Sequence, residues 1–263
     1  MKQKTGLFAG NEGLSTLAGK KLTTRGETVI FSFEAIPALP DTHVFAPGDI
    51  AAVLGFLMNE EVTHLALVGK LPPSIAFAPA LHVSGKAFLA GLDEWKGETI
   101  LAKLADLLTG KGFTVINLIA LFAEYLADET VPTRRQPDEK EEKDIRLGAE
   151  AARIFMPHRV GQTVAVKNGM ILAVEGAEGT DGMIRRVKDY CGNAVIVKIA
   201  GPNKDPRFDL PTVGPRTIEA MREAGAGILA VEAGMTVIVE REATVALCDT
   251  YNIGLTGIKP GKS

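Results

Sequence analysis

The chain is poor in the residue types through which covalent or metal chemistry is usually legible. Its 263 residues include two cysteines, Cys191 and Cys248, far apart and in no Cys-x-x-Cys pair. That argues against a disulfide framework or a zinc ribbon and fits a reducing cytoplasm, with both residues serving as small hydrophobes. The four histidines, His43, His64, His82 and His158, have no metal-ligand spacing and are expected to be structural or on the surface. No nucleophile elbow, P-loop lysine motif or Cys-His arrangement occurs, which argues against covalent catalysis and against NTP hydrolysis of the P-loop type. No basic block stands out among the 29 lysines and arginines, and the net charge is −3, so there is no nucleic-acid footprint. The start Met-Lys-Gln-Lys-Thr-Gly-Leu-Phe-Ala-Gly lacks the apolar run of a signal peptide, and no later stretch is long and apolar enough to span a bilayer. The expected location is the cytoplasm, with any membrane contact peripheral.

What is present is an ordinary soluble composition, 46% hydrophobic, in a chain long enough to bury two cores. Residues 4 to 126 alternate short apolar runs at Gly6–Gly10, Thr28–Phe33, His64–Gly69 and Phe113–Asn117 with helical patterns near 12–25, 48–60 and 98–110. This βα repetition predicts a parallel sheet covered by helices. Residues 128–143 are charged and carry two prolines, so they are expected to be a linker between domains at 1–127 and 144–263. The second domain should open with a helix near 141–156 and a hairpin, Gln162–Lys167 and Met170–Glu175, turned by Asn168-Gly169. Strands are expected at 194–199, 227–232, 236–239 and 254–258 and helices near 181–189, 216–224 and 241–251, giving a second α/β domain with a mixed sheet. Ile171-Leu-Ala-Val-Glu175 and Ile228-Leu-Ala-Val-Glu232 echo each other, each placing a glutamate where an apolar strand ends.

The densest chemistry lies in Lys198-Ile-Ala-Gly-Pro-Asn-Lys-Asp-Pro-Arg-Phe-Asp-Leu-Pro-Thr-Val-Gly-Pro-Arg216. Pro206 biases Asp205 toward an extended conformation, in which Asp205, Arg207 and Asp209 would face one side. Gly214 and Pro215 suit the cap and first position of a helix whose free N–H groups attract anions. A second such helix start follows Glu175-Gly-Ala-Glu-Gly-Thr-Asp-Gly182, with Thr180 as a cap and Arg185, Arg186 and Lys188 on the helix. Acids around anion-binding helix ends imply a bridging divalent cation, and oxygen ligands suit magnesium or manganese rather than zinc. The candidate ligands are Glu175, Glu178, Asp181, Asp205, Asp209 and Glu232, while Lys198 and Arg207 are candidates to neutralise phosphate charge. Gly10 and Asn11 form the turn after the first strand, a candidate substrate contact.

The runs Gln162-Thr-Val-Ala-Val166, Leu172-Ala-Val-Glu-Gly-Ala-Glu-Gly-Thr-Asp181, Val197-Lys198, Lys204 through Ile218 and Ala230-Val-Glu-Ala-Gly234 resemble the LpxI family, UDP-2,3-diacylglucosamine pyrophosphatases of lipid A synthesis. Leu7-Phe-Ala-Gly-Asn11 and Val68-Gly-Lys70 are similar to that family's amino-terminal pattern, so the resemblance covers nearly the whole chain. It implies a Rossmann-like first domain and a family-specific second domain with the substrate between them. It also implies water attack releasing UMP and 2,3-diacylglucosamine 1-phosphate, a divalent metal, a homodimer and peripheral contact with the inner membrane surface. An aspartate of the loop equivalent to Asp205–Asp209 is essential in the family, and either residue answers to it here. Gly10, Asn11, Gly69, Lys70, Thr180, Lys204, Thr212 and Gly214 become candidate substrate contacts. The chain departs from the family pattern in having Lys204 where glutamine is usual and Pro206 after Asp205. Ile75–Pro79, or Phe155 with Met156, are apolar segments that an acyl groove would use, although they suit a core better. Hydrolysis of another nucleotide-linked sugar, and non-catalytic sensing of a nucleotide sugar or lipid phosphate, are the competing functions.

Overall fold

The computed structural model describes residues 3–10, 12–69, 81–95, 97–130, 132–158, 160–201, 205–208 and 210–260. The chain divides into two compact units, Met1–Leu121 with the returning segment Asp205–Asp209, and Phe122–Lys204 with Leu210–Ser263.

In the first unit, strands β1 (Lys4–Ala9), β2 (Glu27–Ser32), β3 (His43–Val44), β4 (His64–Val68) and β5 (Thr114–Val115) form one sheet of order β3-β2-β1-β4-β5. Every pairing in it is parallel. β1 and β4 are buried nearly end to end, as suits a parallel sheet covered on both faces. The helices are α1 (Glu12–Arg25), α2 (Ile50–Asn59), α3 (Val83–Ala90) and α4 (Gly97–Gly110), with a single turn α5 (Leu118–Leu121) after β5. On α1, Leu14, Ser15, Ala18 and Leu22 are buried at helical spacing. α2 starts where the Asp49 carboxylate accepts the Ala52 N–H. The three expected helices are present. α3 and the two-residue β3 were not expected, because neither is long enough to show a period.

In the second unit, β6 (Thr163–Lys167), β7 (Met170–Val174), β8 (Val195–Lys198), β10 (Ile228–Glu232) and β12 (Gly254–Ile258) form a mixed sheet of order β12-β10-β8-β6-β7. β8, β10 and β12 run parallel, and β6 is antiparallel to both of its neighbours. The helices are α6 (Glu139–Phe155), α7 (Gly179–Arg186), α8 (Lys188–Cys191), α9 (Pro215–Ala224) and α10 (Arg241–Thr250). A separate pair, β9 (Thr212–Val213) with β11 (Val237–Ile238), is parallel. Alternate strand residues serve the two faces: Val164, Val166, Val195 and Val197 pack in the cluster that includes Ala149 and Ala152 of α6. Ala165, Ile196 and Leu229 pack in the one that includes Ile184 of α7 and Met221 of α9. Phe155 and Met156 lie against the first of these cores, whereas Ile75–Pro79 fall outside the described residues.

The Asn168-Gly169 turn forms as expected, both residues at positive φ, and it is held from outside. The buried Asp144 carboxylate accepts the N–H groups of Asn168 and Gly169, each at 2.7 Å. The segment 128–143, expected as a linker, is attached to the second unit. The Thr133 hydroxyl accepts the Leu255 N–H at 3.0 Å, and the Arg134 N–H goes to Asp249 at 2.8 Å. Arg135 donates to the carbonyls of Gly227 and Asn252 and to Glu141. Asp138 and Glu141 close a capping box that starts α6. The charges that give this stretch a linker's composition are therefore in part paired within it, Arg135 with Glu141, and with Asp249 and Arg241 of α10.

Candidate functional site

Candidate groups occur in both units. In the first, the strand order reverses between β1 and β4, the place where α/β sheets bind ligands. Gly10 follows β1 and Gly69 follows β4, and the Gly10 N–H donates to the Val68 carbonyl at 2.8 Å, so the two glycines flank that switch point. Gly69 has φ +115°, a conformation that favours glycine. Their sequence neighbours Asn11 and Lys70 lie outside the described residues.

The segment from Asp205 also belongs to the first unit. The extended geometry expected there is corrected. Residues 205–208 turn, the Phe208 N–H donating to the Asp205 carbonyl at 3.3 Å. The rule that a residue before proline is extended constrains Asp205 alone, while Pro206 supplies the fixed φ of a turn's second position and Asp suits its first. The turn is fixed by Phe208, 3% exposed in the first core, and by the Leu118 N–H, which donates to the Pro206 carbonyl at 2.6 Å. Arg207 folds back on Asp205: its Nε lies 3.0 Å from both carboxylate oxygens and its Nη2 2.7 Å from Oδ2. Nη1 reaches Asp106 of α4 at 3.1 Å. Burial is the largest single influence on the Asp205 carboxyl and pushes it up. Hydrogen bonds from the Arg207 side chain and N–H outweigh that, so its pKa lies below the ordinary value. Arg207 is raised, first by its bonds to Asp205 and, after an opposing effect of burial, by Asp106. Asp209 and Lys204 lie outside the described residues, so a shared face for Asp205 and Asp209 is not part of the described geometry.

In the second unit, Lys198, 4% exposed at the end of β8, donates from Nζ to Thr180 Oγ1 at 2.8 Å. Thr180 donates to Glu175 Oε1 at 3.2 Å, and Glu175 Oε2 accepts the Gln162 N–H at 3.2 Å. Glu232, at the end of β10, accepts the N–H groups of Ala200 and Gly201 at 2.7 and 3.2 Å. The two echoing runs thus do the same thing, each ending a strand in a buried carboxylate that receives backbone N–H. Gly201 has φ +80°, a conformation that favours glycine where the chain leaves β8.

Thr180 is not the cap it was expected to be. α7 starts at Gly179 with Glu178 at the cap position, which puts Thr180 inside the first turn with its side chain buried. Glu178 pairs with Arg186 at 2.7 Å, and Asp181 accepts the Thr217 hydroxyl at 3.2 Å. Glu178 is held below its usual range by backbone N–H first and by Arg186 second. The Thr212 hydroxyl donates to the Leu210 carbonyl, and Gly214 caps α9 with Pro215 at its first position, as expected. Among the described residues no three His, Cys, Asp or Glu side chains gather to hold a metal ion. Their carboxylates are turned instead toward Arg186, Arg207, hydroxyls and peptide N–H groups.

The sequence matches the LpxI N-terminal domain over residues 4–125 and the LpxI C-terminal domain over residues 128–256. The chain belongs to the LpxI family. A relative named UDP-2,3-diacylglucosamine pyrophosphatase LpxI, from Caulobacter vibrioides, is 32% identical over 176 residues. That stretch is 62% of this chain and 61% of the relative. A solved structure, CobK precorrin-6A reductase, aligns over 100% of this chain and 89% of its own at 14% identity, with a TM-score of 0.34.

All the candidate residues fall inside the two matched LpxI stretches. Sequence reasoning missed Asp106, which sits mid-helix and meets Arg207 only through a contact 101 residues away. It also missed Thr163, whose hydroxyl lies 3.2 Å from that of Thr180. The antiparallel register that places Thr163 opposite Lys198 is the signal that a correct strand pairing would have supplied. Among the described residues no helix is long and apolar enough to cross a membrane.

Proposed function

We propose that this chain hydrolyses the pyrophosphate of UDP-2,3-diacylglucosamine to UMP and 2,3-diacylglucosamine 1-phosphate. The match to both LpxI domains along one chain carries this reading, and the pyrophosphatase name of the Caulobacter relative supports the choice of substrate. A water oxygen bonds to one phosphorus of the bridge, the bond from that phosphorus to the bridging oxygen breaks, and each phosphate leaves as a monoester. Negative charge grows on phosphoryl oxygens, and Arg207 in the first unit and Lys198 in the second are each a candidate cation to meet it. Phosphate oxygens compete for the same Arg207 donors that hold Asp205. As they succeed, the Asp205 carboxylate, ionised at neutral pH, becomes available to orient water.

The described carboxylates do not form a resident metal cage, so no step is assigned to one. Magnesium is commonly held by substrate phosphates with one or two carboxylates, and a cation brought in that way would polarise the phosphoryl oxygens. A homodimer and peripheral contact with a cytoplasmic membrane surface complete the proposal. Light scattering and vesicle flotation test these two parts. The substrate itself is tested by incubating the protein with UDP-2,3-diacylglucosamine and with UDP-glucosamine lacking both acyl chains. UMP release from the acylated compound, in clear preference, supports the reading; equal release from both, or none from the acylated one, overturns it.

A further inference from the structure

Thr180 enters the sequence reading as a helix cap and a substrate contact, and its surroundings leave its hydroxyl no capacity for either. A threonine hydroxyl has one proton and two acceptor lone pairs. The Lys198 ammonium only donates, so its 2.8 Å contact uses one lone pair. Glu175, as a carboxylate, only accepts and takes the Thr180 proton at 3.2 Å. The Thr163 hydroxyl, also at 3.2 Å, must then donate into the second lone pair. All three valences are filled, among side chains each exposed by 9% or less.

We propose that Thr180 is a positioning residue, a fixed acceptor that helps set where the Lys198 ammonium sits at the end of β8. Lysine carries its charge on a flexible four-carbon stem, so an ammonium that must meet a phosphate needs a rigid partner. Thr180 is rigid because it lies in the first turn of α7, is β-branched and has its proton drawn to Glu175. Thr163 orients the hydroxyl from the neighbouring strand. The inference deepens the proposed hydrolysis and rests on it for the role of Lys198, but the placement of the ammonium is a separate matter that can be measured without turnover.

The test compares Thr180→Val, which keeps shape and deletes the hydroxyl, with Thr180→Ser, which keeps the hydroxyl. Steady-state kinetics on UDP-2,3-diacylglucosamine are read alongside acetylation of Lys198 by acetic anhydride at one fixed pH, followed by mass spectrometry. Thr180→Val should lower kcat by about tenfold or more with KM within about threefold, the pattern of a lost transition-state contribution. It should also raise the Lys198 acetylation rate several-fold. Thr180→Ser should recover most of both. Should Thr180→Val fail to fold, Thr180→Ala replaces it in the same comparison. A raised KM with kcat intact would make Thr180 a substrate contact and overturn the proposal. So would unchanged kinetics and labelling in the valine variant, or a serine variant as impaired as the valine one. If the unaltered protein hydrolyses no UDP-sugar, the proposed function fails, and the labelling comparison alone decides the role of Thr180.

Discussion

Replacing Asp205 by asparagine separates the chemical role of this carboxylate from its structural one. Both oxygens of Asp205 accept from Arg207, at 3.0 Å to Nε and 2.7 Å to Nη2, and Oδ1 also accepts the Arg207 N–H at 2.9 Å. Asparagine keeps one acceptor and turns an amide N–H₂ toward a guanidinium that only donates. Charge-assisted bonds contribute about 1.5–3 kcal/mol each where well formed. Here the side chains are 27% and 29% exposed, so solvent screening brings the expected loss of stability to about 1–2 kcal/mol. Turnover should fall at least about a hundredfold, the scale of one lost acid–base or electrostatic role. That is about 2.7 kcal/mol at the barrier, more than the stability term, and KM should change little. Thermal melts followed by circular dichroism and steady-state kinetics at 25 °C measure the two effects independently. The folded Asp205 pKa lies below its unfolded value of about 3.9, so its stabilisation is complete above that pH and is lost as pH falls through the folded value. The stability gap between the two proteins should therefore hold at neutral pH and close below about pH 4. Asp209→Asn and the double variant run in parallel, and near-normal turnover in all three would refute the catalytic reading of this segment.

Removal of divalent cations by a chelator should abolish hydrolysis and added magnesium or manganese should restore it, whereas full activity in chelator would rule out the cation. Asp144→Ala removes two charge-assisted bonds from the β6–β7 turn, whose N–H groups regain water. It should cost about 2–3 kcal/mol and lower the melting temperature by about 4–12 °C, and a melt within a degree of the unaltered protein would show that the turn holds itself. Cys248 is buried, and that burial, with Asp249 beside it, pushes its thiol up to about 12. It should resist iodoacetamide in the native protein at pH 8, and rapid native alkylation would contradict its burial.

Much of the fold was legible because the strands that build it are long apolar runs with clear ends. β1, β4 and the β6–β7 hairpin carry their own signals in buried repeats and in Asn168-Gly169. Segments as short as β3, β9 and β11 hold no period, and their pairing depends on partners 12 or 25 residues away. The candidate site was legible in its residue types and less so in its geometry. Charge density singled out Asp205, Arg207 and Lys198, but the backbone rule for a residue before proline could not foresee a turn closed by an internal ion pair. Nor could composition show that the segment 128–143 pairs Arg135 with its own Glu141 and holds Arg134 and Asp128 against α10. Thr180 was chosen for its place near a helix start, and a two-residue shift of that start changed its role from cap to buried hinge of a hydrogen-bonded cluster.

The most direct test of the proposed hydrolysis is a turnover of UDP-2,3-diacylglucosamine in ¹⁸O-labelled water with mass analysis of both products. Water attack on the bridge predicts UMP and 2,3-diacylglucosamine 1-phosphate in equal amounts, with one ¹⁸O per turnover carried on the phosphate of one product only. Release of UDP with free diacylglucosamine, products without label, or no turnover would contradict it.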